Sequence, residues 1–399
     1  MKLLLSFLLC MVPAALMGGP VYDVTDLGAL GGTTSAGHRI NEQGQTVGAG
    51  TDRVGNQYAL SGENSMTAIT KDGAAWDVNR SGTIAGAKYV NGQSYAVTWD
   101  ASGTHFLTGT GVGGAALGIN DAGQVTGMTG EGRAFLTDFS GGVRDLGVML
   151  GGDWAAGRAV NEFGQVAGYG TMGGAFLAFR WDEKGGYTAL GTLGGRNSYG
   201  MGINDSGVVA GHAQTSSGYL HAAVWTNSRA QDIGTLGGHN SYAYGINYRG
   251  AVVGYSQVSN GDFHAFLFQD GVLYDLNDLL GNNTGWELRY AFGINNQGQI
   301  VGEGLYQGQV HAFRLDLQRV LSMLFSLSGG ESDGSEDQGG SGNGPTGLNG
   351  PTGFNGPTGY DGPSGFSGPT NLTSVPEPSS WALGLAGLAL GVARWARRR

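Results

Sequence analysis

Ile294-Asn295-Asn296-Gln297-Gly298-Gln299-Ile300-Val301-Gly302 is the stretch that decides the fold, because its frame recurs. Apolar-Asn-x-x-Gly-x-apolar-x-Gly opens again at Ile40-Asn41, Val78-Asn79, Ile119-Asn120, Val160-Asn161, Ile203-Asn204 and Ile246-Asn247. The seven asparagines lie 38, 41, 41, 43, 43 and 48 residues apart, about 42 on average. An asparagine that bonds its own backbone opens a turn, and a glycine three residues on takes the positive φ that other residues resist. Apolar residues flank the turn at strand spacing, so each copy predicts a β-hairpin.

A third strand follows each copy. Its clearest forms are Tyr95 to Trp99, Ala175 to Leu177, His221 to Trp225, His264 to Phe268 and His311 to Phe313; Tyr58 to Leu60 and Arg133 to Leu136 are weaker copies. A fourth strand reads at Asp145-Leu146-Gly147 and Asp232-Ile233-Gly234. It runs into Leu-Gly-Gly turns at Leu150 to Gly152, Leu193 to Gly195 and Leu236 to Gly238. The series opens with the same element at Asp26-Leu27-Gly28. Four short strands per ~42 residues is the size of one propeller blade, and a lone four-stranded unit cannot bury both faces. The expected fold class is therefore all-β: a seven-bladed β-propeller of four-stranded blades over residues 20–317. An open β-solenoid is the alternative. Only two of the third strands end in a Trp-Asp pair, Trp99-Asp100 and Trp181-Asp182, too few to assign the WD family. The unit resembles the HAF repeat of bacterial exported proteins, through His-Ala-Phe at 264–266 and 311–313. That resemblance covers about three quarters of the chain and implies an extracellular repeat protein. The second unit departs most from it, since it lacks the Leu-Gly-Gly turn.

The two ends carry addresses. Lys2, an apolar run from Leu3 to Val12 and small residues at Ala14, Ala15, Gly18 and Gly19 read as a secretory signal peptide, residues 1–19, cut between Ala15 and Gly19. Cys10 is the only cysteine and lies in the part removed; Leu9 before it is too large for a lipoprotein signal. The mature chain then has no thiol nucleophile or thiolate metal site. At the other end, Val375-Pro376-Glu377-Pro378 precedes an apolar run from Trp381 to Ala393 and then Arg394, Arg397, Arg398 and Arg399. The arginines should stay cytoplasmic. Thirteen residues make about 20 Å of helix against roughly 30 Å of bilayer core, short for a lasting transmembrane anchor. Together the parts at 371–399 resemble a PEP-CTERM sorting tail. The resemblance implies a Gram-negative cell, transient residence in the inner membrane, processing near Pro376–Pro378 by an exosortase-type membrane protease, and delivery to the cell surface or an exopolysaccharide matrix. Residues 318–343 read as a short helix (Gln318 to Leu327) and an acidic Gly/Ser linker. Residues 344–370 carry glycine at every third position from Gly344 to Gly368, a collagen-like polyproline II spacer whose period also permits a homotrimer.

Composition and motifs bound the chemistry. Gly is 79 of 399 residues and charged residues are 13%, far from an average chain. The net charge is −10, and loss of Lys2 and the tail arginines makes the mature chain more acidic, which argues against nucleic acid as a partner. No His-Glu-x-x-His helix, Walker loop or calcium repeat occurs, so no catalytic, cofactor or metal residues are assigned. His221, His264 and His311 start equivalent strands; capping of the strand through a backbone hydrogen bond is expected ahead of metal ligation. Asp121, Glu162 and Asp205 recur where the turn recurs, which makes them turn residues. The reading is a non-catalytic exported module that binds exopolysaccharide or an envelope protein through surface Tyr, Trp and Asn. A secreted polysaccharide lyase or glycosidase with an acid pair in the central channel, and a purely structural coat component, are the alternatives.

Overall fold

The computed structural model describes residues 20–138, 141–281 and 284–318. The signal peptide, all of the acidic linker after Gln318, the Gly-X-Y spacer and the tail, with its transmembrane segment and sorting residues, lie outside them. Among the described residues, no helix is long and apolar enough to cross a membrane.

The described residues are almost wholly strand and turn. After β1 (Tyr22–Gly28) come β2 (Gly31–Ile40), β3 (Thr46–Asp52), β4 (Gln57–Gly62) and β5 (Thr67–Lys71), then β6 (Gly73–Val78), β7 (Ile84–Val90), β8 (Gln93–Asp100) and β9 (Gly103–Phe106). The third unit is β10 (Ala115–Ile119), β11 (Val125–Met128), β12 (Ala134–Thr137) and β13 (Val143–Gly147). The fourth is β14 (Ala155–Val160), β15 (Val166–Met172), β16 (Ala175–Asp182) and β17 (Gly186–Ala189). The fifth is β18 (Gly194–Ile203), β19 (Val209–Thr215), β20 (Leu220–Trp225) and β21 (Gln231–Gly234); the sixth is β22 (Gly237–Ile246), β23 (Val252–Val258), β24 (Phe263–Gln269) and β25 (Val272–Asp275). After a 3-10 turn at Leu276–Leu279, β26 (Trp286–Ile294), β27 (Ile300–Tyr306) and β28 (Gln309–Leu317) complete the described strands.

Five sheets are four-stranded antiparallel meanders in chain order, β6–β9, β10–β13, β14–β17, β18–β21 and β22–β25. The remaining eight strands form one sheet, joined between β2 and β28 by the single parallel pair Thr34 and Val310. On one side of that pair stand β2–β5; on the other stand β26–β28 with β1 as their outer strand, Tyr22 facing Leu317 and Gly28 facing Ala312. The N-terminal strand thus completes the last sheet, and the circle closes without a covalent link. The first strands β2, β6, β10, β14, β18, β22 and β26 each touch the next, and β26 touches β2, which makes them the inner wall of a β-propeller.

Glycine sets the spacing of that wall. The last Gly of each repeat, as in Gly254, lies against the neighbouring strand of its own hairpin, where a Cβ would stand 1.9 Å from the Tyr242 carbonyl oxygen. Between units, a Cβ on Gly293 would meet Arg39 Cα at 3.0 Å, so glycine there lets two inner strands close up. The core is correspondingly divided into clusters between sheets, such as Phe179, Trp181, Val166 and Met149, and Phe266, Val252, Ala243 and Ile233.

Candidate functional site

Each of the seven inner hairpins carries a β-bulge at the same place. In β22, Ala243 faces Gly254 and Gly245 faces Val253, which leaves Tyr244 unpaired. The same step leaves out His38, Trp76, Leu117, Arg158, Met201 and Phe292. A bulge re-aims its extra side chain, and here it aims all seven at the axis. They are buried, 1–9% exposed, and the cavity left between His38, Arg39, Trp76, Leu117, Arg158, Tyr244 and Phe292 is about 10 Å³. The axis is therefore plugged.

The plug is polar as well as aromatic. His38 lies flat on Trp76, with ring centroids 4.7 Å apart, and edge-on to Phe292 at 6.1 Å. Its Nδ1 is 2.7 Å from the Ala75 carbonyl. Burial lowers the His38 pKa to about 4 against that hydrogen bond, with Arg39 and Arg158 adding repulsion. His212, stacked on Tyr199, is lowered to about 3, again by burial first and Arg158 second. The Arg39 guanidinium donates to the carbonyls of His38, Phe292 and Tyr244. Burial lowers its pKa while Asp77 opposes the shift; burial raises Asp77 while Arg39 opposes that.

One end of the axis is sealed by the repeat asparagines. Their turns form as expected: the side-chain oxygen accepts from the backbone N–H four residues on, in all seven copies, and the glycine takes φ between +71° and +85°. The sequence did not show the second half. Each Nδ2 donates to the backbone carbonyl of the next unit's asparagine at 3.0–3.3 Å, and Asn295 returns to Asn41, a closed cycle of seven bonds.

In five of the seven copies the residue after the asparagine extends this belt outward. Asp121, Glu162 and Asp205, read as turn residues, accept from the backbone N–H of Arg80, Asp121 and Glu162 in the unit before. Asn296 and Glu42 do the same for Tyr248 and Asn296. They therefore join neighbouring units as well as standing in their own turns. Burial, then the charges of Asp121 and Asp205, raise Glu162.

The histidines differ from expectation. His221, His264 and His311 use Nδ1 on the carboxylates of Asp232, Asp275 and Asp26, at 2.8, 2.5 and 3.0 Å, and not on backbone. Those aspartates also accept from the N–H two residues on, at Gly234, Asn277 and Gly28, so each pair fixes the end of a fourth strand. The structure does not bring the three histidines together, and among the described residues no group of three or more His, Cys, Asp or Glu is placed to hold a metal.

At the end of the axis away from the asparagines, aromatic rings surface over the fourth to sixth units. Tyr219 and His239 are stacked 4.5 Å apart at an 11° tilt, and Phe176 stacks on Tyr199 at 5.9 Å with Trp154 at its edge. Phe176 and Tyr219 are 38% and 40% exposed. Side-chain amides lie beside them: Asn240 accepts from Leu220 N–H, and Gln214 donates to Gly218.

Residues 374–399 match the family described as the PEP-CTERM protein-sorting motif, which points to export to the cell envelope or surface. No curated protein matches this chain. Among solved structures it is similar to TolB from Acinetobacter baumannii (11% identity, TM-score 0.40, covering 69% of this chain and 64% of that one). It is also similar to the β-propeller domain of the Trilobed protease from Pyrococcus furiosus (10%, 0.44, 71% and 93%) and to a puromycin-hydrolyzing peptidase of Mycobacterium tuberculosis (10%, 0.47, 75% and 55%). The propeller assignment rests on the cyclic strand order and not on these distant likenesses.

Proposed function

We propose that this chain is an exported, surface-sorted propeller of seven four-stranded blades that acts as a non-catalytic binding or scaffold module in an exopolysaccharide matrix. The observation that carries it is the sorting motif at 374–399, a C-terminal address on a domain whose axis is filled by its own side chains. Seven blades follow from the seven bonded asparagines if the eight-stranded sheet is divided at Thr34 and Val310. Kinship with HAF-repeat proteins is part of the same reading. An exosortase-type protease in the inner membrane of a Gram-negative cell removes the tail near Pro376–Pro378. The Gly-X-Y tract, 27 residues at ~3.1 Å, holds the propeller about 80 Å from its attachment.

Saccharide is the ligand class that fits the exposed rings: flat faces for stacking, with amide donors and acceptors beside them for hydroxyls. Binding of the exported chain to host matrix polysaccharide is measured with Tyr219→Ala and Trp154→Ala beside it. Retention of wild-type affinity in both variants refutes the aromatic rim as the binding surface. Cell fractionation with and without the terminal 25 residues tests the address separately: unchanged surface recovery of the truncated chain refutes sorting by the tail.

A further inference from the structure

The axial plug holds one buried ring nitrogen that no protein donor meets. A carbonyl oxygen only accepts, so His38 Nδ1 carries the proton that it donates to Ala75. In the neutral ring, Nε2 is then a bare acceptor. It is fully buried and has no hydrogen-bond partner, in a residue 3% exposed. The ring cannot swing to find one. Its stack on Trp76, its edge contact with Phe292 and the Ala75 bond hold its plane. A buried acceptor left unmet costs roughly 1–3 kcal/mol, and native structures fill such places.

The cavity beside it, about 10 Å³, is lined by His38, Arg39, Trp76, Leu117, Arg158, Tyr244 and Phe292. That is the smallest space in which one water fits. Its walls choose the charge of the occupant. Arg39 and Arg158 repel a cation, and the lone pair of His38 repels an anion. Burial keeps His38 neutral at ordinary pH. A neutral donor of one heavy atom remains.

We propose that the propeller axis binds one structural water, which donates to His38 Nε2 and accepts from Arg158 or Tyr244 on the opposite wall. The water joins the first unit to the fourth or sixth across the axis, beside the direct bond from Arg39 to the Tyr244 carbonyl.

The test uses the unaltered exported chain labelled with 15N at histidine, in ordinary water. The His38 Nε2 resonance is expected in the unprotonated range, with a water-to-ring cross-relaxation signal of the sign that marks a long-lived bound water. A protonated Nε2, or a ring with no such signal, overturns the proposal. His38→Phe removes the acceptor and fills part of the small cavity, and is expected to remove the same water signal from the Leu117 methyls. Its persistence there overturns His38 as the anchor.

Discussion

Asparagine at the ring position serves two units at once, and its two side-chain atoms have opposite duties. In Asn161, Oδ1 accepts from the N–H groups of Phe163 and Gln165, and Nδ2 donates to Gln165 Oε1 and to Asn204 O. Asn161→Asp keeps the acceptor but turns an oxygen toward the Asn204 carbonyl in a buried place. It is expected to lower stability by at least as much as Asn161→Ala, each by about 2–4 kcal/mol in urea unfolding at pH 7. The two repeat glycines separate in the same assay. Gly250 has φ +82° and open space beyond its Cα, so Gly250→Ala should cost only about 1 kcal/mol. Gly254→Ala drives a methyl into the Tyr242 carbonyl and should cost several times as much. Gly250 was legible, because turn chemistry is local. The reason for Gly254 was not, since the atom it avoids arrives from the paired strand. The buried histidines set an acid limit. Their folded pKa values, about 4 for His38 and about 3 for His212, lie below the ordinary 6.5. The unfolded chain therefore binds more protons between those values, and the stability they contribute is whole above pH 6.5 and lost as pH falls toward 3. His212→Phe should lose less stability than wild type between pH 6.5 and 3; parallel pH profiles would show that His212 does not titrate there.

At the scale of elements, the strands were legible and their partners in the next unit were not. His221-Ala222-Ala223 and Asp232-Ile233-Gly234 read as separate features of a repeat, yet one buried hydroxyl, on a serine that the repeat pattern did not single out, joins them. Ser241 Oγ accepts from Ala222 N–H and donates to the Gly234 carbonyl, both in the unit before. Ser35 makes the same two bonds to Ala312 and Gly28, across the place where the circle closes. The residues that form this latch stand far apart in the chain, so periodicity located the strands without showing what joins them. Ser241→Ala leaves an amide and a carbonyl unmet at a fully buried site and should cost about 1–3 kcal/mol. Rescue by Ser241→Thr, if the extra methyl fits, would separate the hydroxyl from simple packing. The axial bulges escaped the sequence for a related reason. The residue three before each repeat asparagine varies from His38 to Phe292, and a bulge leaves no composition of its own.

For the whole molecule, the decisive junction is the one made without a covalent turn. Asp26-Leu27-Gly28 reads as the end of a unit with no beginning, and the structure supplies that beginning at the far end of the chain, where β1 pairs with β28. Tyr22 and Leu27 are 2% and 1% exposed, Gln318 N–H donates to Val21 O, and Asp26 holds His311. Chain connectivity thus crosses the seam from the first unit to the last, and opening the circle must strip β1 from its sheet. A circular permutant tests this directly. It starts at Gly31 and joins residue 318 to residue 21 through a two-residue hairpin turn, so that every unit becomes a continuous four-strand meander. The permutant keeps each hydrogen bond of the closed circle, including Ser35 to Ala312 and Asn295 to Asn41. It loses only the covalent crossing of the seam. Far-ultraviolet circular dichroism should match the parent, whereas the urea midpoint should fall and amide exchange in β2 and β28 should quicken first, because the seam then opens without breaking a sheet. An unchanged midpoint, with β2 and β28 still among the slowest to exchange, would mean that side-chain contacts alone hold the circle and that the borrowed strand adds nothing to its closure.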